Sequence, residues 1–435
     1  MNSNPPATQN PKAATQSLSV EEAKHILRTH LHAAPLRERL SLRAALGRVL
    51  ALDIISPIDV PAHPNSAMDG FAFHSREFSL QLSRELSPPG ANTRLQLQIV
   101  GEALAGHPYL GECNQGQCIR IMTGAVLPSD CDTVIAQEFC QITANASVSF
   151  ESSVINAGEN CRARGEDLKK DSVALQAGKI LQAADLGLLA SLGIGEIEVN
   201  KKLKVAYFST GDEIRSIGET LDEGCIYDSN RYTVFGMLSR LGCDIIDMGV
   251  IADHASALEE ALKQACDQAD VIITSGGVSV GAADYTKQVM ATLGEVAFWT
   301  IAMRPGRPLA FGQIRNKEKS AALFGLPGNP VASMIVFYFL VRDALLQQMG
   351  AQIIPPHQFA VASAQFIKKR PGRTEYQRAQ ILYENGQQSV KITGAQGSGI
   401  LNSMSTADCM IVLEHERADV QAGELVQVIP FFGLL

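Results

Sequence analysis

The chain has 435 residues, a net charge of −8 at pH 7, and 46% hydrophobic against 19% charged residues. This length predicts several domains, and the ordinary globular composition excludes a wholly disordered or fibrous protein. The acidic balance gives no global attraction for nucleic acid or for an anionic membrane, so neither is an expected partner. Any anion-binding site must therefore be local.

The nine cysteines are scattered and form neither a CxxC pair nor a Cys/His cluster with zinc spacing, which predicts free thiols in a reducing compartment. The polar, Pro-rich start lacks the apolar core of a signal peptide, so we expect a disordered tail over residues 1–17 and a cytoplasmic protein. The longest apolar run, residues 331–341, is too short to cross a bilayer and predicts a buried helix.

The N-terminal half predicts a helical region interrupted by a β-rich one. Ser19 with Glu22 three positions later is a capping-box pattern, which opens a first helix. Prolines at 57–64 predict extended chain, and short β-like runs between Gly, Pro and Asn predict a small β-rich domain over residues 71–171. A helical run at 183–193 then leads back to the first region.

From residue 201 to 351, strands alternate with helices at the spacing of a doubly wound, mostly parallel sheet. Residues 352–435 alternate β-like runs with Gly-rich turns and predict a terminal β-barrel or sandwich. The fold class is therefore multidomain α/β. Ligands of an open α/β sheet bind at the carboxyl ends of its strands, so the residues that follow each strand are the informative ones.

Two glycine-rich turns follow strands of this sheet. They are "SGGVSVG", residues 275–281, and "LPGNP", residues 326–330. Successive backbone N–H groups, Ser hydroxyls and a helix N-terminus suit a phosphate there. A tight strand-to-helix turn without a ligand is the alternative for either one, but two such turns at one sheet edge favour a phosphate site.

Arg304 and Arg307 flank a Pro-Gly turn in "RPGRP". Two guanidinium groups held close together suit bidentate recognition of phosphate or another tetrahedral oxyanion. A solvated surface pair is the alternative. Because the pair follows a strand at the same sheet edge, we favour an anion site.

Carboxylates also follow strands or occupy loops of the other predicted domains: Asp69, Asp167, Glu213, Asp253 and Asp284. If they converge, they could hold Mg²⁺ against a pyrophosphate, since Mg²⁺ prefers a few carboxylates plus substrate oxygens. Helix capping is the alternative for Asp253 and Asp284, solvation for Glu213, and an Asx turn for Asp69. His63 and His254 have no partner at ligand spacing and are expected to be structural or exposed.

Seven motifs follow one another between about residue 18 and the C-terminus: "PAHPNSAMDGFA", "RIMTGAVLP", "GENCRARGEDL", "FSTGDE", "TSGGVSVGAADYTK", "RPGRPLAFG" and "GLPGNPVAS". Together and in this order, they resemble the molybdopterin molybdenumtransferase family, the MoeA and gephyrin E-domain type. The resemblance implies a homodimer of four-domain subunits with the active site in the cleft between them. The implied domains are an elongated helical dimerisation domain (18–70 and 172–200), a small β-rich domain (71–171), a central α/β molybdopterin-binding domain (201–351) and a C-terminal β-barrel (352–435).

The resemblance also implies a reaction, in which molybdenum from molybdate enters adenylylated molybdopterin with Mg²⁺-dependent release of AMP. Molybdate and adenylylated molybdopterin would be substrates and Mg²⁺ the cofactor. Implied partners are the molybdopterin adenylyltransferase and molybdoenzyme apo-proteins or their chaperones. A non-catalytic molybdopterin-binding scaffold and a nucleotide pyrophosphatase on the same sheet are the alternatives.

By the same resemblance the five acids are catalytic, with Glu213 and Asp284 as metal ligands, and Asp69 is expected to reach the cleft from the other subunit. The family commonly has Lys at both basic positions of its "KPGKP" motif, so Arg304 and Arg307 are a departure, and a tungstate-selective homologue is a further alternative. The implied substrate-binding residues are Thr123, Arg162, Ser275, Gly276, Gly277, Ser279, Arg304, Arg307, Pro308, Pro327, Gly328, Asn329, Ser333, Arg373 and Ser398.

Overall fold

The structure is a computed structural model that describes residues 17–31, 35–84, 94–143, 145–277 and 284–434. The predicted tail lies outside the described residues, apart from Ser17. The chain separates into two compact units. We call Leu52–Ala177 with Ala183–Gly195 the insert unit, and the rest of the described chain the main unit. The helices are α1 (Val20–His30), α2 (Arg76–Arg84), α3 (Ala183–Ser191), α4 (Ser229–Leu241), α5 (Ala255–Gln268), α6 (Asp284–Leu293), α7 (Pro330–Gln348) and α8 (Leu401–Ser405).

The insert unit is built on a six-stranded sheet. Its strand order is β4-β1-β3-β2-β6-β5, and every neighbouring pair is antiparallel except β2 and β3. Phe71 and Phe73 on β1 are fully buried in its core. The strands are β1 (Gly70–Phe73), β2 (Arg94–Ala103), β3 (Gln117–Ile121), β4 (Thr133–Ala136), β5 (Gln141–Thr143) and β6 (Ser147–Glu151).

The main unit contains a second six-stranded sheet, in the order β8-β7-β9-β12-β11-β10. The first four strands are parallel, and β11 and β10 form an antiparallel edge. These strands are β7 (Lys204–Thr210), β8 (Asp244–Ile251), β9 (Val271–Ser275), β10 (Gly294–Thr300), β11 (Pro308–Asn316) and β12 (Lys319–Leu326).

Both faces of this sheet are covered by helices, because alternate residues of a strand point to opposite faces. Val205 and Tyr207 of β7 pack in one core with α1, α4 and α7. Ala206 and Phe208 of the same strand pack in the other core with α5 and α6. This arrangement is the doubly wound sheet that the alternation of strands and helices predicts.

The C-terminal region forms a closed five-stranded barrel, which resolves the choice between barrel and sandwich. The chain of pairings runs β14-β15-β13-β17-β16 and returns to β14. Outside the barrel, the short strand Met303–Arg304 adds to β14 in parallel, with Arg304 opposite Glu375. The barrel strands are β13 (Phe359–Ser363), β14 (Thr374–Glu384), β15 (Gln387–Ile392), β16 (Cys409–Leu413) and β17 (Leu425–Pro430).

Helix α7 contains the apolar run of residues 331–341 and is longer than that run, at 19 residues. Among the described helices it is the one whose length and apolar composition would permit a membrane span, with a mean hydropathy of 1.4. However, 72% of the apolar stretch of this helix is buried inside the structure, and Val331, Ile335 and Phe337 are fully buried. It is the buried helix that the sequence predicts.

Candidate active site

The carboxyl ends of β7, β9 and β12 lie side by side in the main unit. Ser275 at the end of β9 pairs with Ser209 on one side and with Leu326 on the other. The N–H of Gly276 donates to the carbonyl oxygen of Leu326 over 3.3 Å, and a Cβ added to Gly328 would lie 3.9 Å from Gly276 Cα. The structure therefore brings the two glycine-rich turns together at one sheet edge.

Gly276 is required by the close approach of this turn to β7. Its φ is +90°, and an added Cβ would lie 2.2 Å from the carbonyl oxygen of Thr210. Only glycine fits such a position without displacing the backbone. Gly277 follows with φ of +66°, whereas Ser279 lies outside the described residues, as does the Asp284 side chain.

The Ser275 hydroxyl does not face the open edge. It is 2% exposed and hydrogen-bonds Tyr207 Oη at 2.7 Å and Ser209 Oγ at 3.0 Å. Tyr207 Oη also bonds Ser209 Oγ at 2.8 Å, and burial raises the pKa of Tyr207, which keeps its phenol protonated. The three hydroxyls thus hydrogen-bond one another below the turn. Any contact of Ser275 with a ligand would come from its backbone.

Of six buried polar side-chain atoms without a hydrogen-bond partner in the described part of the chain, four lie on β9, in the first turns of α7 or at the start of α4. Ser333 Oγ lies in the first turns of α7 and Thr274 Oγ1 lies on β9. Asn230 Nδ2 donates to the Gly328 carbonyl at 2.7 Å, whereas Asn230 Oδ1 has no hydrogen-bond partner. Asp228 is the N-cap of α4, and its Oδ2 has no hydrogen-bond partner either. Unpaired buried polar atoms are uncommon in proteins, and a bound group or an ordered water would satisfy them. Sequence reasoning included Ser333 but missed Asp228 and Asn230, whose signal was the capping pattern "DSN".

Two predicted carboxylates follow neighbouring strands. Thr210 of β7 pairs with Ile251 of β8, so Glu213 and Asp253 lie just beyond one sheet edge. Glu213 is exposed and Asp253 is half-buried. The alternative that Asp253 is the N-cap of α5 was wrong. His254 is the N-cap, and its ring accepts from the N–H of Ala257 at 3.3 Å.

This donor set fits Mg²⁺. Carboxylates at strand ends, such as the exposed Glu213 and the half-buried Asp253, are ligands that Mg²⁺ prefers, with substrate oxygens and water completing its shell. Within the described ranges, no group of three or more His, Cys, Asp or Glu side chains could hold a metal ion by itself. Asp284 is the first residue of α6.

A cationic cavity of about 600 Å³ lies beside the barrel. Glu375, only 2% exposed, accepts from Arg373 Nε at 3.0 Å and lies 3.7 Å from Arg304 Nη1. Two arginines that the sequence predicted separately therefore meet on one carboxylate. The cationic side chains that line the cavity are Arg304, Lys368, Lys369, Arg370, Arg373 and Arg378.

Arg378 was missed by sequence reasoning and organises the loop that leads to Ser398. It is fully buried, and its guanidinium donates to Ser403 Oγ at 2.9 Å and to the carbonyl of Gly397 at 2.9 Å, with further bonds to the carbonyls of residues 395 and 396. Burial lowers the pKa of Arg378 to about 10 and also lowers the pKa of Lys369. For the cationic side chains at 368–370, which sequence reasoning also missed, the available signal is the charge run "KKRPGR", residues 368–373.

The cavity and the glycine-rich turns are joined through the start of α7. The N–H of Val331 donates to the carbonyl of Ser398 at 3.1 Å. The "RPGRP" turn packs on the same helix, since a Cβ at Gly306 would lie 2.6 Å from Val336 Cγ2. Arg307 in that turn is exposed, Pro308 is half-buried, Pro327 is buried, and Asn329 is exposed.

The remaining predicted residues belong to the insert unit. Asp69 Oδ1 accepts from both the N–H and the hydroxyl of Thr123, each at 2.7 Å. Arg162 Nε pairs with Glu166 at 3.0 Å, and Asp167 is exposed. Asp69 therefore accepts hydrogen bonds from the distant Thr123 instead of forming the Asx turn that was the alternative. These two donors lower the pKa of Asp69 below its usual 3.8.

We expect Thr123→Val to raise the pKa of Asp69, because the hydroxyl donor is lost while the N–H donor remains. A carboxylate with a lowered folded-state pKa stabilises the fold above its unfolded pKa, and that contribution disappears as the pH falls through the folded value. The measurement is an NMR titration of the Asp69 carboxyl carbon. Thr143→Val, at an exposed site whose hydroxyl bonds only the Ser147 carbonyl, is the control. An unchanged Asp69 titration in Thr123→Val would contradict this assignment.

Three family models match the chain. They are the "MoeA N-terminal region (domain I and II)" over residues 18–193, the "Probable molybdopterin binding domain" over residues 206–347 and the "MoeA C-terminal region (domain IV)" over residues 360–431. The α/β sheet with its glycine-rich edge is thus a domain of the molybdopterin-binding class.

Individual relatives agree with the family models. A molybdopterin molybdenumtransferase from Haemophilus influenzae is 42% identical over 96% of this chain and 100% of its own length. One from a Nostoc species is 32% identical over 90% of this chain and 88% of its own. The crystal structure of the molybdopterin biosynthesis moeA protein from Pyrococcus horikoshii OT3 matches with a TM-score of 0.78 and 26% identity, over 96% of this chain and 100% of that one. The chain belongs to the MoeA family of molybdopterin molybdenumtransferases, which confirms the resemblance of its seven motifs.

Proposed function

We propose that the protein inserts molybdenum from molybdate into adenylylated molybdopterin and releases AMP. The observation that carries this proposal is the hydrogen bond from Val331 N–H, just after the "LPGNP" turn, to the Ser398 carbonyl. Ser398 follows Gly397, whose carbonyl accepts from Arg378 in the lining of the cationic cavity. One substrate carries phosphates and the other, molybdate, is a separate oxyanion, so the reaction needs two such adjoining sites. The names of the relatives favour the same reaction.

The main-unit residues act by binding and orientation. The backbone N–H of Gly277, with the "LPGNP" turn, would hold the phosphate and pterin portion. Arg304, Arg307 and Arg373 would hold molybdate as charge-assisted donors, near the Ser333 and Ser398 hydroxyls. Donors that the fold already holds in place can stabilise the crowded anions without reorganising, which lowers the activation barrier of the reaction. The substrate supplies its own thiolates, so no protein nucleophile is required.

Mg²⁺, when bound, would neutralise charge on the pyrophosphate and would be held by Glu213 and Asp284. Asp253 at the neighbouring strand end would orient groups beside it. In the insert unit, Asp69 and Asp167, with Thr123 and Arg162, are assigned the role that the family implies, which is contact with the substrate bound by the partner subunit.

The assembly we propose is a homodimer of four-domain, cytoplasmic subunits with the boundaries given above. An apolar surface on α4 and on the short strand Ile226–Tyr227 suits contact with the second subunit. Its residues Ile226, Tyr227, Tyr232 and Phe235 are each about half exposed. The upstream partner would be the molybdopterin adenylyltransferase. Downstream, molybdoenzyme apo-proteins or their chaperones would accept the product.

Phe235→Glu is expected to weaken the dimer at least about tenfold, because it places a charge in the apolar surface that the partner covers. Sedimentation over a range of protein concentrations measures the dissociation constant. Tyr383→Glu is the control, since Tyr383 is an exposed aromatic residue on the barrel, at 73% against 51% for Phe235. A dimer that tolerates Phe235→Glu as well as Tyr383→Glu would show that this surface is not the interface.

The function is tested by AMP release from adenylylated molybdopterin with Mg²⁺ and molybdate, with tungstate in parallel. Molybdate-dependent release would establish the transferase. Release with tungstate alone would identify the tungstate-selective alternative. Release without either oxyanion would favour the pyrophosphatase, and a folded protein that binds the nucleotide without any release would favour the scaffold.

A further inference from the structure

Cys113 and Cys131 of the insert unit lie in contact although they are distant in sequence. The two thiols hydrogen-bond each other, and their residues are 4% and 6% exposed. Both belong to one small apolar cluster with Ile119 and Ile121. The proposed reaction uses neither cysteine.

The backbone holds the two sulfur atoms together. Cys113 lies in the loop before β3 and Cys131 in the loop before β4, and both strands pair with β1. The N–H of Cys113 donates to Asp130 Oδ2 at 3.4 Å, and the N–H of Gly116 donates to Glu77 Oε1 at 3.2 Å. These contacts tie one loop to the other and to α2, and they keep Cys113 next to the segment that carries Cys131.

The pair also differs chemically from the other thiols of this unit. The hydrogen bond from Cys131 lowers the pKa of Cys113, and the same contact, with burial, raises the pKa of Cys131. Burial raises the pKa of Cys161 to about 11 and that of Cys140 to about 12, and it also raises the pKa of Cys118. The thiolate is the reactive form, so Cys113 is the favoured nucleophile and Cys131 its resolving partner.

We propose that Cys113 and Cys131 form a reversible disulfide when the protein meets a peroxide. The Cys113 thiolate attacks one peroxide oxygen, the O–O bond breaks, and the departing hydroxide takes up a proton to leave as water. Cys131 loses its proton and attacks the resulting sulfenic sulfur, the S–S bond forms, and a second water leaves. Two thiols together lose two electrons, one peroxide gains them, and a thiol reductant reverses the step.

The test is treatment of the full-length protein with hydrogen peroxide, followed by alkylation of free thiols under denaturing conditions and mass spectrometry. We expect the number of alkylated cysteines to fall from nine to seven and to return to nine after dithiothreitol. Tandem fragmentation must map the bond to Cys113 and Cys131. It must also distinguish Cys113 from Cys118, because no Lys or Arg separates them.

Cys131→Ser should leave all remaining thiols unpaired and allow dimedone to trap a sulfenic acid on Cys113. Cys140→Ser, in the same unit, should still form the disulfide. Nine alkylated cysteines after oxidation of the wild-type protein, or a bond between any other pair, would overturn the proposal. Because this mapping uses the wild-type chain, it does not depend on the folding of a variant.

Discussion

Gly276→Ala is expected to lower the rate of AMP release by roughly 100-fold, because misplacement of reacting groups by about 1 Å can have an effect of that size. The added Cβ would lie 2.2 Å from the backbone oxygen of Thr210, so either the turn or the end of β7 must move. A φ of +90° adds strain that an alanine does not tolerate. Single-turnover AMP release with saturating molybdate measures the effect.

The matched control for this variant is Gly187→Ala. Gly187 lies in α3 of the insert unit, and an added Cβ there meets nothing within 4 Å. Alanine in a helix is favoured over glycine by about 1 kcal/mol, so this protein should be slightly more stable and fully active. If Gly276→Ala releases AMP as fast as Gly187→Ala does, the turn after β9 is not the phosphate site.

Arg378→Met is expected to lower the free energy of unfolding by about 2–4 kcal/mol, since each buried acceptor left without a donor costs about 1–3 kcal/mol. Methionine keeps much of the side-chain volume but leaves Ser403 Oγ and the carbonyls of residues 395–397 without the guanidinium. Urea denaturation measures the change. A rise in the KM for molybdate should accompany it, because the loop that presents Ser398 loses its support.

Gln380→Ala provides the comparison on the same strand. Gln380 is exposed, and its Nε2 donates to the carbonyl of Thr406 at 2.8 Å. Surface substitutions of this kind usually change stability by less than about 0.5 kcal/mol. Equal losses in the two variants would mean that the guanidinium network of Arg378 adds nothing to the barrel.

Features encoded locally could be predicted from the sequence. Strand and helix periods are local, so the doubly wound sheet and its strand ends, including Gly276 and Gly328, followed from the pattern. The capping box at Ser19 is also local, and the structure shows both of its hydrogen bonds. The closed barrel needed a pairing between β14 and β16 that no local pattern specifies.

The direction and burial of individual polar side chains were beyond prediction, because they depend on strands distant in sequence. The charge run at 368–373 is typical of a solvated surface, yet closure of the barrel buries Lys369. Ser275 precedes a glycine-rich turn, but the register of β7 against β9 turns its hydroxyl toward Tyr207. The contact of Cys113 with Cys131 likewise follows from the pairing of β3 and β4 with β1.

The composition of the cationic cavity has a consequence for oxyanion selectivity. Six cationic side chains against one carboxylate, Glu375, leave an excess of five positive charges around the cavity. Such a field concentrates dianions from solution and weakens as ionic strength rises, since salt screens charges over about 10 Å at 0.1 M. Molybdate and tungstate carry the same charge, so long-range attraction draws in both equally. Any choice between the two metals must then come from short-range contacts in the cavity or from the rate at which each bound oxyanion reacts.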